Sequence, residues 1–294
     1  EIVSIRKNLA VKIPDLVSDE DAVFTVIGSI ALQGIRLIKP SLGETVVVIG
    51  LGLIGLISCQ LLRANGCKVI GIDIDANKCN IAKKLNFDTI NSSTNDPAKI
   101  VQDITKQVGC DSVIIAASAK SDTVISQAAR MSRKKGKIVL IGVIDLNLNR
   151  SDFYDKELSF QVSCSYGPGR YDSEYEQKGI DYPLPYVRWT EKRNFEAILE
   201  SIALGNLQLS KLITDRFELN QFEKIYNNIS SNKSIASILI YPNSSQQNIS
   251  DKIIINRSPI KNSDGIIGIV GSGNFTKMTI IPSLVKCNAK IKTI

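Results

Sequence analysis

The feature that most constrains this chain is an apolar run that breaks into three spaced glycines and is answered, about twenty residues later, by an acid. The run is Val46-Val47-Val48-Ile49, the turn is Gly50-Leu51-Gly52-Leu53-Ile54-Gly55, and the answering segment is Val69-Ile70-Gly71-Ile72-Asp73. Consecutive β-branched residues without polar alternation describe a strand covered on both faces, as in a parallel sheet flanked by helices. Glycine at 50 permits a tight turn out of that strand, and glycine at 52 lets a ligand approach the backbone. Glycine at 55 lets the following helix lie close to the sheet. A helix opening near Leu53 turns unpaired N–H groups and the positive end of its dipole toward the same point, which suits a phosphate. Asp73 ends the second strand where a ribose would lie. The combination predicts a bound dinucleotide. A carboxylate at 73 accepts hydrogen bonds from a free 2′-hydroxyl and repels a 2′-phosphate. Asp75 adds to that repulsion and no arginine flanks Asp73, so NAD(H) is expected over NADP(H).

Elements alternate around this unit. Ser18-Asp19-Glu20-Asp21 reads as a capping box opening one amphipathic helix to about Ile38, closed by Pro40 and Gly43. Strands are expected at Val46–Ile49, Lys68–Ile72, Thr89-Ile90, Asp111–Ala116 and Lys137–Ile141. Helices are expected at Leu53–Asn65, after the cap Asp75, from Pro97 after Asp96, and at about Asp122–Met131. This βαβα order predicts an α/β fold with a doubly wound parallel sheet.

From Leu158 the character changes. Phe160–Ser165 alternates like a strand and leads into Tyr166-Gly167-Pro168-Gly169-Arg170-Tyr171-Asp172, then into Asp181–Trp189. Long loops are uncommon in compact domains unless functional or disordered, and this one holds tyrosines, arginines and the only tryptophan. Tyr166, Arg170, Tyr171 and Arg188 are candidate substrate residues, with arginines suited to a carboxylate or phosphate. The competing reading packs the loop on the sheet or into a subunit contact. A helix at Glu191–Leu204, a strand at Leu212–Thr214, a helix at about Leu219–Ile229 and a strand at Ala236–Tyr241 follow. Residues 243–264 then shift to Asn, Ser, Gln and Lys, a linker with one short strand at Lys252–Ile255. A second glycine turn, Gly271-Ser272-Gly273-Asn274-Phe275, follows the strand-like Ile266–Val270 and precedes a helix to Lys286 and a strand at Ala289–Ile294. It marks Gly271, Gly273, Asn274 and Phe275 as candidate contacts of a second coenzyme. The chain ends before an answering acid, so this fingerprint is incomplete.

Composition narrows the function classes. The 294 residues are 44% apolar and 22% charged, as in a soluble globular protein. The net charge of +7 is diffuse. Its densest cluster, Arg133-Lys134-Lys135-Gly136-Lys137, precedes a strand and so sits at the sheet edge opposite the ligand. A solvated edge is expected there, not a nucleic-acid footprint. No apolar run spans a membrane and no signal-peptide pattern opens the chain. The six scattered cysteines read as free thiols of a reduced cytoplasm. No histidine is present, which removes the commonest general base and metal ligand.

These residues carry a resemblance. Leu42-Gly43-Glu44-Thr45-Val46 through Gly55, Gly71–Asp75, Ala82-Lys83-Lys84-Leu85 and the strands Asp111–Ala116 and Lys137–Gly142 resemble the nucleotide-binding (Rossmann) half of the medium-chain dehydrogenase/reductases, which include the zinc alcohol dehydrogenases. The second glycine turn resembles the start of a Gfo/Idh/MocA-type oxidoreductase. Such a fusion, with the Tyr-Gly-Pro-Gly-Arg-Tyr-Asp loop, is similar to bi-domain oxidoreductases of surface-polysaccharide and sugar metabolism. The resemblance implies cofactor contacts at Gly50, Gly52, Leu53, Ile54, Gly55, Asp73 and Lys78, with Ala117 and Gly142 near the nicotinamide. It divides the chain into residues 1–42 (a catalytic-domain remnant and lead-in helix), 43–165 (the NAD-binding domain), 166–242 (a loop and return to the catalytic-domain edge), the linker 243–264, and 265–294 (a truncated second Rossmann unit). The chain is accordingly read as a fragment, with its catalytic residues outside it. Ala22–Gln33, where zinc enzymes of the family place a further ligand, holds no Cys and no acid, so zinc is unsupported. The expectation is an NAD(H)-dependent oxidoreductase exchanging hydride with a carbonyl or alcohol of a sugar derivative, free to self-associate. The alternative is a non-catalytic dinucleotide-binding sensor or scaffold.

Overall fold

A computed structural model describes residues 3–118, 123–227, 234–241, 266–271 and 273–293. The chain forms two compact units, Glu1–Tyr241 and Pro242–Ile294. In the first, α1 (Asp19–Ala22) and α2 (Thr25–Ile38) lead to β1 (Thr45–Ile49). Then follow α3 (Leu53–Ala64), β2 (Lys68–Asp73), α4 (Ala76–Lys84), β3 (Asp88–Asn91), α5 (Pro97–Ile104), β4 (Cys110–Ile115), α6 (Thr123–Met131), β5 (Ser132–Leu140), α7 (Arg150–Tyr154) and β6 (Ser159–Val162). The six strands form one sheet in the order β3-β2-β1-β4-β5-β6, every neighbouring pair parallel. This is the doubly wound α/β fold, and its strand order reverses beside β1, where sheets of this kind take their ligands at the carboxyl ends.

The unbroken apolar strand is explained by its two cores. Val46 and Val48 pack into a layer with α2, α3 and the later helix α9 (Glu191–Ala203), while Val47 and Ile49 face a second layer built on α5 and α6. Successive side chains of a strand point to opposite faces, so a strand between two helical layers must be apolar at every position.

The lead-in helix is not continuous. Ser18 caps α1 by accepting from the Asp21 amide, but the helix ends at Ala22 and restarts at Thr25. The break falls at Val23 and Phe24, which stay right-handed (Phe24 φ −84°, ψ −1°), and the Phe24 ring is buried in the core. Burial of that ring outweighs the lost turn of helix.

After β6 the chain forms α8 (Ser173–Glu176) and α9, which packs on α2. It continues to β7 (Ile213–Glu218), α10 (Phe222–Asn227) and β8 (Ala236–Ile240). β7 and β8 pair in parallel as a separate two-stranded sheet. β7 runs farther than Leu212–Thr214, and α10 begins at Phe222 after a 3-10 turn at Leu219–Gln221. Asp122, Ile229 and the strand expected at Lys252–Ile255 lie outside the described residues.

The loop from 163 to 189 is held by its own polar side chains. The buried Tyr175 donates to Thr190 Oγ1 at 2.8 Å, and Tyr182 stacks on Tyr175 and donates to Asp172. Arg193 pairs with Asp181.

In the second unit β9 (Ile266–Gly268) and β10 (Lys290–Thr293) are parallel, joined through a π-helical turn at Thr276–Ile280 and α11 (Ile281–Lys286). The expected single helix from Phe275 divides before Pro282, which has no N–H for the α-helical ladder.

Candidate functional site

The crevice at the carboxyl edge is built from backbone first. Gly50 leaves β1 with φ +94° and donates to Ile72 O at 2.7 Å, which joins the turn to the end of β2. Gly52 is the N-cap of α3. A Cβ there would meet no protein atom within 4 Å, whereas one at Gly55 would lie 1.8 Å from Gly50 O. Gly55 is therefore a packing glycine, and Gly52 leaves the N-terminus of α3 open to an incoming group. Leu53 and Ile54, the first residues of α3, pack partly on the core.

Asp73, 7% exposed, closes the turn from the other side. Its Oδ2 accepts from Leu51 N at 2.7 Å and its Oδ1 from Asp75 N at 2.8 Å. Each oxygen keeps lone-pair capacity, so the carboxylate can still receive hydroxyl donors. Asp75 caps α4 through the Asn77 amide, and Lys78 lies half-buried in the first turn of that helix. Across the crevice Ala116 N donates to Ile49 O, and Gly142 N donates to Ile115 O at 3.0 Å. These bonds set Ala117 and Gly142 beside the glycine turn, and the Gly50 Cα face contacts Ala117 directly.

The loop residues are placed differently. The Tyr166 carbonyl accepts from Asn194 Nδ2 at 2.8 Å, and its ring lies 5.3 Å from that of Phe195 on α9. Arg170 pairs with Glu176 at 2.7 Å and lies over the rings of Tyr166 and Tyr171. Tyr171 is 73% exposed. Tyr166, Arg170 and Tyr171 thus form one cluster. Arg188 stands apart, 3.9 Å above Trp189, whose ring also carries Arg36 from the last turn of α2. That end of α2 lies at the amino edge of the sheet, because its Ile38 carbonyl accepts from Lys137 at the start of the β5 core run.

Two ionisable groups of this region were not legible in the sequence. Glu191 is fully buried and neither carboxylate oxygen has a hydrogen-bond partner among the described residues. Burial, then Glu176, push it up to about 7 against the pull of Arg170. Arg36 is pushed down to about 10 by burial and then by Arg188. A glutamate in a first helical turn reads as an ordinary dipole partner, and nothing local announces that its helix end is covered.

Metal donors do not converge. Among the described residues no three of His, Cys, Asp or Glu are grouped to hold a metal ion. Burial pushes the Cys59 and Cys110 thiols up to about 12, away from the thiolate that zinc requires. Among the described residues the donor set does not fit zinc.

Residues 54–180 match a family profile described as zinc-binding dehydrogenase. The chain is 32% identical over 210 residues to D-guloside 3-dehydrogenase of Escherichia coli K12, covering 69% of this chain and 55% of that protein. To sorbitol dehydrogenase of Bacillus subtilis 168 it is 24% identical over 249 residues, covering 83% and 63%. The chain thus spans somewhat over half the length of these curated relatives. Among solved structures, a short chain alcohol dehydrogenase of Escherichia coli CFT073 in complex with NADH superposes with a TM-score of 0.63 at 22% identity, over 79% of this chain and 62% of that one.

Proposed function

We propose that the protein, whose residues 54–180 match the profile of a zinc-binding dehydrogenase, is an NAD(H)-dependent oxidoreductase acting on a carbonyl or alcohol of a sugar derivative. The observation that carries the reading is the pairing of the open N-terminus at Gly52 with the buried carboxylate of Asp73. When bound, NAD(H) supplies or takes the hydride. The chain's part is to receive the pyrophosphate at Gly50–Gly55, the ribose hydroxyls at Asp73 with Lys78 nearby, and the nicotinamide side along Ala117 and Gly142. The names of the relatives, a guloside and a sorbitol dehydrogenase, support a sugar or polyol as substrate.

NADH is expected to bind more tightly than NADPH in titrations followed by Trp189 fluorescence, and Asp73→Ala should erode the difference. Equal affinities in the starting protein would overturn the coenzyme assignment, and binding without turnover of sugars would favour a sensor or scaffold. The Tyr166, Arg170 and Tyr171 cluster is assigned to the substrate side, and Arg188, stacked on Trp189, lies apart from it. An unchanged KM in Arg170→Ala would remove it from that role. For the second unit, the φ of +93° at Gly271, the counterpart of Gly50, and the open space around Gly273 support a second glycine turn of the Gfo/Idh/MocA kind, with Asn274 and Phe275 beside it. A cytoplasmic setting accords with six unpaired cysteines, and no helix among the described residues is long and apolar enough to cross a membrane.

A further inference from the structure

A cationic site away from the coenzyme crevice lacks a counter-charge. Arg36 is half-buried, donates through Nε to Asn194 Oδ1 at 2.8 Å, and lies 3.4 Å from the centroid of Trp189. Arg188 lies over the same ring, and among the described residues neither arginine pairs with a carboxylate. The C-terminal dipole of α2 offers Arg36 only about half a negative charge, against two guanidinium groups. The downward shift of Arg36 accords with a charge held at a cost. Beside it runs a groove of about 530 Å³ between α2, α3 and α9, with Leu32, Ile35, Leu61 and Ala197 among its apolar lining and Trp189 at its side. The site is separate from the glycine turn. It adjoins the last turn of α3, and twelve helical residues extend about 18 Å from the end at Gly52.

We propose that this groove binds a monocarboxylate with an apolar chain, the carboxylate on the terminal N–H groups of Arg36 and the chain on the Leu32–Ile35–Leu61 floor beside Trp189. A guanidinium offers the fork geometry that a carboxylate matches, and partial desolvation strengthens the pair. An apolar floor without acids selects against small inorganic anions, which would gain nothing from it.

Octanoate is the probe and octanol the neutral control, on the 294-residue chain, in which Trp189 is the only tryptophan. Octanoate should change Trp189 fluorescence saturably, with affinity at least about ten-fold above that of octanol, as one charge-assisted pair implies. Arg36→Met should weaken octanoate by a similar factor. Ala197→Leu, which fills the groove and keeps Arg36, should weaken it as well, and it decides the matter if Arg36→Met does not fold. No saturable response, equal affinity for octanoate and octanol, or undiminished octanoate binding in folded variants would overturn the proposal.

Discussion

Gly52 and Gly55 differ by three positions and are held to glycine by opposite circumstances. An alanine methyl at 55 would enter the Gly50 carbonyl, so α3 would have to back away from the sheet. Gly55→Ala should cost about 1–3 kcal/mol or more, read as a lower denaturant midpoint. At 52 the methyl meets no protein atom and the backbone (φ −71°) tolerates it, so stability should change by no more than about 0.5 kcal/mol while NADH affinity falls. A stability loss at 52 equal to that at 55 would show that both glycines serve packing alone. Glu191 carries a pH prediction. Its folded-state pKa, about 7, lies above its ordinary 4.5, so between these values the folded state keeps a proton that the unfolded chain releases. Its contribution is therefore full below about 4.5 and is lost as pH rises through 7. The urea midpoint should drop between pH 5 and pH 8, and Glu191→Gln should flatten that drop. An unchanged slope would assign the effect to another group. The spacing of Gly50, Gly52 and Gly55 was readable because each role is local, whereas the burial of Glu191 depends on a loop that arrives from residues 166–176.

At the level of elements, lysines finish helices that the strand order brings to them. Lys156 donates to the carbonyls of Ala129 and Arg130 in the last turn of α6 and of Ser132 at the start of β5, at 2.8–2.9 Å. Its ammonium matches the negative end of the helix and satisfies carbonyls that have no partner inside it. Lys156→Met should cost about 1–3 kcal/mol in chemical denaturation, and a loss below about 0.5 kcal/mol would show the lysine to be idle. The basic run at 133–137 was expected as a solvated edge, and it is only partly so. Arg133 pairs with Asp111 at 2.6 Å and Lys137 reaches Ile38 O at 2.7 Å, while Lys135 pairs at the surface with Glu157. Charge runs were legible and their partners were not, because Asp111 and Ile38 are distant in sequence. The same limit explains the division of the lead-in helix at Phe24. Its capping box was readable at Ser18, but the pull of the core on that ring comes from other elements.

For the whole molecule, the proposed residues of the first coenzyme site and both apolar cores fall within Glu1–Tyr241. A chain ending at Tyr241 should bind NADH within about two-fold of the longer one, measured by fluorescence titration, since no core residue would be lost. A large loss would assign the second unit a share in the first site. The parallel sheet followed from the amino acids alone, because an unbroken β-branched strand between helical periodicities has few other ways to bury its faces. The same holds for the glycine turn and its acid, whose geometry is set within one βαβ unit. Tertiary structure decided what depends on distant contacts. It set Tyr166, Arg170 and Tyr171 in one cluster with Glu176, stacked Arg188 on Trp189 beside Arg36, and left the Glu191 carboxylate buried with no hydrogen-bond partner among the described residues. Local patterns encode backbone conformation and the face to be buried, but the charge and solvent around a side chain are fixed by whichever segments the fold brings against it.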